Sequence, residues 1–110
     1  MNDVEQYVSV EEDGRLLADA RLTPDTAGGV QATMHVESGQ LPQRTRARLV
    51  DAVLDSHSVE PGSRLHVTMP AGDGEILDRV KERCDDVESR GAGTSCLVDA
   101  TVPSADASVG

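Results

Sequence analysis

The sequence predicts an α+β fold: a mixed, mostly antiparallel sheet of about six strands with two helices. Two kinds of pattern lead to this prediction. Several short segments alternate apolar and polar residues with a period of two, whereas two others repeat their apolar residues with the period of a helix. The 110 residues are the size of one domain, predicted over residues 1–102, with a disordered tail over residues 103–110.

The first third of the chain predicts three consecutive strands. Turns rich in Asp, Gly and Pro separate them, first at Asp13-Gly14 and then over residues 23–29. Strands that follow one another through short turns form an antiparallel meander, and their alternation predicts one apolar and one polar face. The predicted apolar residues are Val4, Val8 and Val10; Leu16, Ala18, Ala20 and Leu22; and Val30, Ala32, Met34 and Val36.

Residues 41–55, LPQRTRARLVDAVLD, predict the first helix. Their apolar residues, from Leu49 to Leu54, repeat along one helical face, and His57 continues the register. Thr45 is the predicted N-cap if the helix begins after Pro42.

The charges of this first helix are reversed relative to the helix dipole. Arg44, Arg46 and Arg48 crowd its start and Asp51 and Asp55 lie toward its end, although a helix favours anions at its N-terminus. Three interpretations stay open. The arginines bind an anion such as a phosphate or carboxylate, they form a solvated face in which Arg48 pairs with Asp51, or they contact the acidic surface of another subunit.

The rest of the chain predicts a fourth strand, a second helix and a closing hairpin. The strand covers residues 64–69. Asp73 is the predicted N-cap of the second helix, which places Glu75 in its first turn, where the dipole favours an acid. The hairpin pairs residues 85–90 with residues 94–102 around a Gly-Ala-Gly turn.

Composition narrows the class of partner. Twenty acids against ten basic residues give a net charge of −10, and Tyr7 is the only aromatic residue. An acidic chain without aromatic platforms is a poor nucleic-acid binder. No segment has the length of a membrane span and no signal peptide is visible, so we expect no membrane association and a cytoplasmic location. A core without Trp or Phe is thin, so homodimerisation would help it.

The cysteines and histidines predict no metal centre. Cys84 and Cys96 are expected to be reduced and to act as small buried or half-buried hydrophobes. His57 and His66 are expected to have structural roles. His35 and Glu37 share the polar face of the third strand, where one His and one Glu form neither a triad nor a metal site.

The order of elements, β-β-β-α-β-α-β-β over roughly residues 4–102, resembles the core of the GNAT superfamily of N-acetyltransferases. The resemblance implies a sheet whose third and fourth strands splay around acetyl-coenzyme A. It also implies that a loop of pattern Gln/Arg-x-x-Gly-x-Gly/Ala holds the pyrophosphate on backbone amides. Here the corresponding stretch is QLPQRTRARL (40–49), in which no register supplies both small residues.

Two functions follow from the resemblance. The first is a non-catalytic GNAT-like binding or interaction module without a cofactor, whose partner is a second copy of the chain or another protein. The alternative is a minimal acyl-coenzyme A-dependent N-acetyltransferase, in which Arg44, Arg46 and Arg48 replace the glycine-loop contacts and Glu37 or His35 is the general base. The family's general-acid Tyr on the second helix has no counterpart, which favours the first.

Overall fold

The computed structural model describes residues 5–25, 28–37, 41–42, 44–56 and 58–103. The predicted β-β-β-α-β-α-β-β order and α+β class are confirmed. Val4, His57 and the tail beyond Pro103 lie outside the described residues, as do the loop positions Gln40 and Gln43. The elements are β1 (Gln6–Glu12), β2 (Arg15–Pro24), β3 (Val30–Val36), α1 (Thr45–Leu54), β4 (Arg64–Pro70), α2 (Gly74–Arg83), β5 (Asp85–Ala92) and β6 (Ser95–Thr101).

The six strands form one mixed sheet in the order β1-β2-β3-β4-β6-β5. Among the described strands, only the central β3–β4 pair is parallel, joined by the crossover through α1, and the other four pairs are antiparallel. The closing hairpin differs slightly from its prediction, because β5 runs on to Ala92 and the turn falls at Gly93 and Thr94.

One core lies between the sheet and both helices. The registers place the apolar residues of β1, β2, β3, β4 and β6 on the same face, and this face packs against α1 and α2. The opposite face of the sheet is polar, with exposed side chains such as Arg21, Thr33 and His35. The largest fully buried side chains are Leu22, Leu49, Leu65, Ile76, Val50, Val53, Val67, Val80, Val98 and Thr45.

One strand prediction is wrong in its detail. Leu16, predicted to face the core, is 36% exposed, whereas Leu17 is buried. The register passes from Val10–Ala18 to Glu11–Leu16, so Leu17 is an extra residue in a β-bulge. The bulge lets Leu17 and Ala18 both point inward, which a strict alternation of two does not anticipate.

Neither helix in the described part of the chain has the length and apolar character that crossing a membrane requires.

Candidate functional site

The sheet opens at the carboxyl ends of its two parallel strands. β3 and β4 are in register from Val30–Leu65 to Thr33–Thr68. Beyond that point, the described residues of β3 pair only with β2, and those of β4 pair only with β6. The two central strands therefore separate at the end from which α1 and α2 begin.

The start of α1 is locally unfavourable. Arg44, at the N-cap, has φ 72° and ψ 4°, the left-handed region that costs a residue with a side chain about 1–2 kcal/mol. The prediction that Thr45 is the N-cap is wrong, because it is the first helical residue. Its buried hydroxyl donates to the Pro42 carbonyl at 2.7 Å instead of accepting from the helix.

The start of α2 is conventional. The predicted N-cap Asp73 is confirmed: its Oδ1 accepts from the Ile76 amide at 3.3 Å. Glu75 lies in the first turn, as predicted, where the dipole favours an acid.

Asp73 also joins the two helix starts. Its Oδ2 accepts a hydrogen bond of 2.8 Å from Nε of Arg46, in the first turn of α1, and the Asp73 side chain is only 9% exposed. Glu75 lies 4.0 Å from Nη1 of the same arginine. A cavity of about 360 Å³ is lined by Arg46, Asp73, Glu75 and the loop between β4 and α2. The carboxylate of Asp73 thus ties α1 to α2 where β3 and β4 have separated.

The other charges of α1 also find partners on neighbouring elements. Arg48 lies 3.9 Å from Glu12 of β1, so its predicted pairing with Asp51 within the helix is wrong. Asp51 instead accepts from both Nε and Nη2 of Arg79 at 3.0 and 2.9 Å and from Arg83 at 2.6 Å. The hydrogen bond from Arg79 is the main reason that the pKa of Asp51 falls below its ordinary value.

The described arginines at the start of α1 do not fit the pyrophosphate of coenzyme A, the cofactor that the GNAT resemblance implies. A phosphate approaching Arg46 would meet the carboxylates of Asp73 and Glu75, which already contact that guanidinium. Arg48 is paired with Glu12, and Arg44 is exposed with no ion pair to any described residue. Two of the three predicted anion-binding arginines are therefore paired with acids of the chain itself.

The two predicted catalytic candidates lie together at the end of β3. Nε2 of His35 is 3.4 Å from a Glu37 carboxylate oxygen, and their side chains are 67% and 41% exposed. No described ion pair or hydrogen bond connects them to Arg44, Arg46 or Arg48. They form a contact within one segment, on the polar face of the sheet that no helix covers.

A second cluster, around His66, was not predicted as a site. Its Nδ1 lies 2.7 Å from Asp99 of β6 and its Nε2 lies 3.4 Å from Asp25, just after β2. The contact with His66 is the main cause that lowers the pKa of Asp99. The acids lie 41 residues before and 33 residues after the histidine, so only the strand order brings them together.

The cysteines match their predicted structural role. Cys84 is buried, Cys96 is half-buried, and both are free. Burial is the main cause that raises the pKa of the Cys84 thiol, which makes it a weak nucleophile. No three His, Cys, Asp or Glu side chains of the described residues are placed to share a metal ion.

Comparisons with known proteins establish the fold. No protein-family model matches the sequence, and no curated protein matches it. Among solved structures, the chain is similar to a crystal structure named as a putative acetyltransferase from Sphaerobacter thermophilus DSM 20745. The TM-score is 0.59 and the identity 12%, over 96% of this chain and 68% of that one. At this identity the likeness concerns the fold alone, and it confirms the predicted GNAT-like fold.

Proposed function

We propose that this protein is a non-catalytic GNAT-like binding or interaction module. The observation that carries the proposal is the pairing of Arg46 with Asp73 across the opened end of the sheet. An anionic cofactor at α1 would have to displace a carboxylate that is 91% shielded from water and that also caps α2. Breaking this buried, charge-assisted hydrogen bond opposes the binding of a phosphate there.

The partner in this proposal is a protein surface, either a second copy of the chain or a different protein. A net charge of −10 argues against a nucleic acid. The helix-free face of the sheet offers a broad polar surface, on which Tyr7 is 61% exposed. Because Tyr7 is the chain's only aromatic residue, the fluorescence of the chain reports on contacts made near Tyr7, at the β1 edge of this face.

A titration with coenzyme A and with pyrophosphate, followed by amide chemical shifts, tests the cofactor half of the proposal. We expect no saturable shift at Thr45, Arg46 or Ala47 in the natural protein. Asp73→Asn frees the Arg46 guanidinium, so this variant is expected to gain weak pyrophosphate binding. Glu75→Gln, which leaves the Asp73 contact in place, is the matched control and should gain none. Saturable binding of coenzyme A by the natural protein at these amides would overturn the proposal.

Light scattering with size-exclusion chromatography separates the two partner classes. A dimer at micromolar concentration, with a change in Tyr7 fluorescence on dilution, supports self-association through the helix-free face of the sheet. A monomer at all concentrations leaves a different protein as the partner.

One observation favours the alternative function, an acyl-coenzyme A-dependent N-acetyltransferase. The separation of β3 and β4 beyond Thr33 and Thr68 is the opening that the GNAT resemblance implies. Incubation with labelled acetyl-coenzyme A and a mixed amine pool tests it. Turnover that is lost in Glu37→Gln or His35→Gln would support the enzyme, and the absence of turnover supports the module.

A further inference from the structure

The His66 cluster connects three parts of the chain that are distant in sequence. His66 lies in β4, Asp99 is its register partner in β6, and Asp25 belongs to the turn between β2 and β3. The histidine side chain is 36% exposed, Asp25 28% and Asp99 43%. The cluster is therefore open to protons from solvent and still close enough to couple its three members.

The turn that carries Asp25 is tied to the sheet through this contact and through its own backbone. The Asp25 amide donates to the Gly29 carbonyl at 2.9 Å, and the Gly28 amide donates to the Asp25 carbonyl at 3.0 Å. Gly29 packs so closely on the Arg64 carbonyl that no side chain fits between them. A displacement of the Asp25 side chain should therefore change the chemical shifts of the amides of this turn.

Asp25 lines two cavities. One, of about 450 Å³, lies on the helix-free face of the sheet and is also lined by His66, Asp99 and Arg90. The other, of about 290 Å³, is lined by Gly28, Gly29 and the hydroxyls of Thr23, Ser58 and Ser63. The position of this one carboxylate therefore affects the shape of both spaces.

The two protonation states of an imidazole differ in the number of bonds that they can donate. A protonated histidine donates from both ring nitrogens, whereas a neutral one donates from a single nitrogen and presents a lone pair at the other. Nδ1 of His66 is hydrogen-bonded to Asp99 at 2.7 Å, whereas its Nε2 makes only an ion-pair contact of 3.4 Å with Asp25, so Nδ1 keeps the remaining proton. In the neutral state the Nε2 lone pair of His66 then faces the negative Asp25 carboxylate.

We propose that the protonation of His66 controls whether the β2–β3 turn is held to the sheet. The protonated ring binds Asp25 and so acts as a pin for the turn, whereas the neutral ring releases it. Because Asp25 lines both cavities, the release changes the shape of both. Three other charged side chains lie near the pin. These groups are Arg90 and Glu88 of β5 and Arg64 of β4.

Amide spectra of the full chain recorded between about pH 5 and 8 test this proposal. We expect the amides of Asp25, Gly28 and Gly29 to shift together with the His66 ring signals. The shift should be lost in His66→Gln, while His35→Gln should keep it. His35 is the matched control, because its carboxylate partner, Glu37, lies on the same segment.

A second variant separates the pin from a general loss of structure. In Asp25→Asn the turn amides should lose their pH response, whereas the Asp99 amide should keep a response to the His66 ring. Turn amides that respond equally in the natural protein and in His66→Gln would overturn the proposal. A His66 ring that titrates without any shift of the turn amides would overturn it as well.

Discussion

The two helices of this domain have the same length and opposite electrostatics. Each has ten residues, but α1 has no acid in its first turn and no base in its last, whereas α2 has Glu75 at its start and Lys81 and Arg83 at its end. Ion pairs join them from start to end, among them Arg46 with Asp73, Asp51 with Arg79, and Asp55 with Arg83. The helices therefore run parallel, and the reversed charges of α1 complement those of α2.

This comparison explains why α1 looks like an anion site in the sequence. Viewed alone, a helix with arginines at its start attracts anions. Beside a parallel helix of ordinary polarity, one of these arginines, Arg46, contacts the acids at the start of the neighbour. The local electrostatic cost to α1, about 0.3–1 kcal/mol per charge, is offset by pairs that no single segment can reveal.

The dependence of α1 on tertiary contacts predicts the largest mutational effect. Leu49 is fully buried in the core, so Leu49→Ala should lower the free energy of unfolding by about 2–5 kcal/mol. Leu54→Ala, at a half-buried position of the same helix, is the control and should cost clearly less. Urea unfolding followed by circular dichroism measures both. Equal losses in the two variants would show that α1 is not held by its buried stripe.

The order of elements was accessible from the sequence because each type leaves a local pattern. Strands with one buried face alternate, as Val30 to Val36 do, and helices repeat their apolar residues as Leu49 to Leu54 do. The bulge at Leu17 was not accessible, since it depends on how β1 and β2 align.

The candidate site was less accessible than the fold. The capping role of Asp73 follows from a local rule and was predicted, but its contact with Arg46 joins residues that are 27 positions apart. The His66 cluster depends on β6 lying beside β4, which sequence order does not give. Side-chain partners across a sheet or between helices are set by the three-dimensional arrangement, and no spacing in the sequence records it.

The pairing between the helices predicts a smaller effect with a definite pH dependence. Asp51→Asn leaves Arg79 and Arg83 without their shared carboxylate, and at neutral pH it should cost about 1 kcal/mol, since the group is 32% exposed. Asp78→Asn, on the exposed side of α2 with no ion pair to a described residue, is the control and should cost almost nothing.

The sign of the pH effect follows from the lowered pKa of Asp51. A carboxyl whose pKa is depressed by folding stabilises the protein above its ordinary value of 3.8 and loses that contribution as the pH falls through the folded value. The difference in unfolding free energy between the natural protein and Asp51→Asn should therefore shrink below about pH 4. A difference that stays constant from neutral to acidic pH would contradict the pairing of Asp51 with Arg79.

The last expected effect, of similar size, concerns the unfavourable start of α1, where the two helices differ most. Asp73 caps α2 with its side chain, whereas Arg44 precedes α1 in the left-handed region and makes no capping bond. Glycine adopts this conformation without the steric cost of a Cβ atom, so Arg44→Gly should be more stable than Arg44→Ala by about 1 kcal/mol. Both variants remove the same guanidinium, so the difference in their urea midpoints isolates the backbone. If Arg44→Ala were the more stable of the two, α1 would begin in solution with a different backbone conformation, and the contrast with α2 would be smaller than the structure indicates.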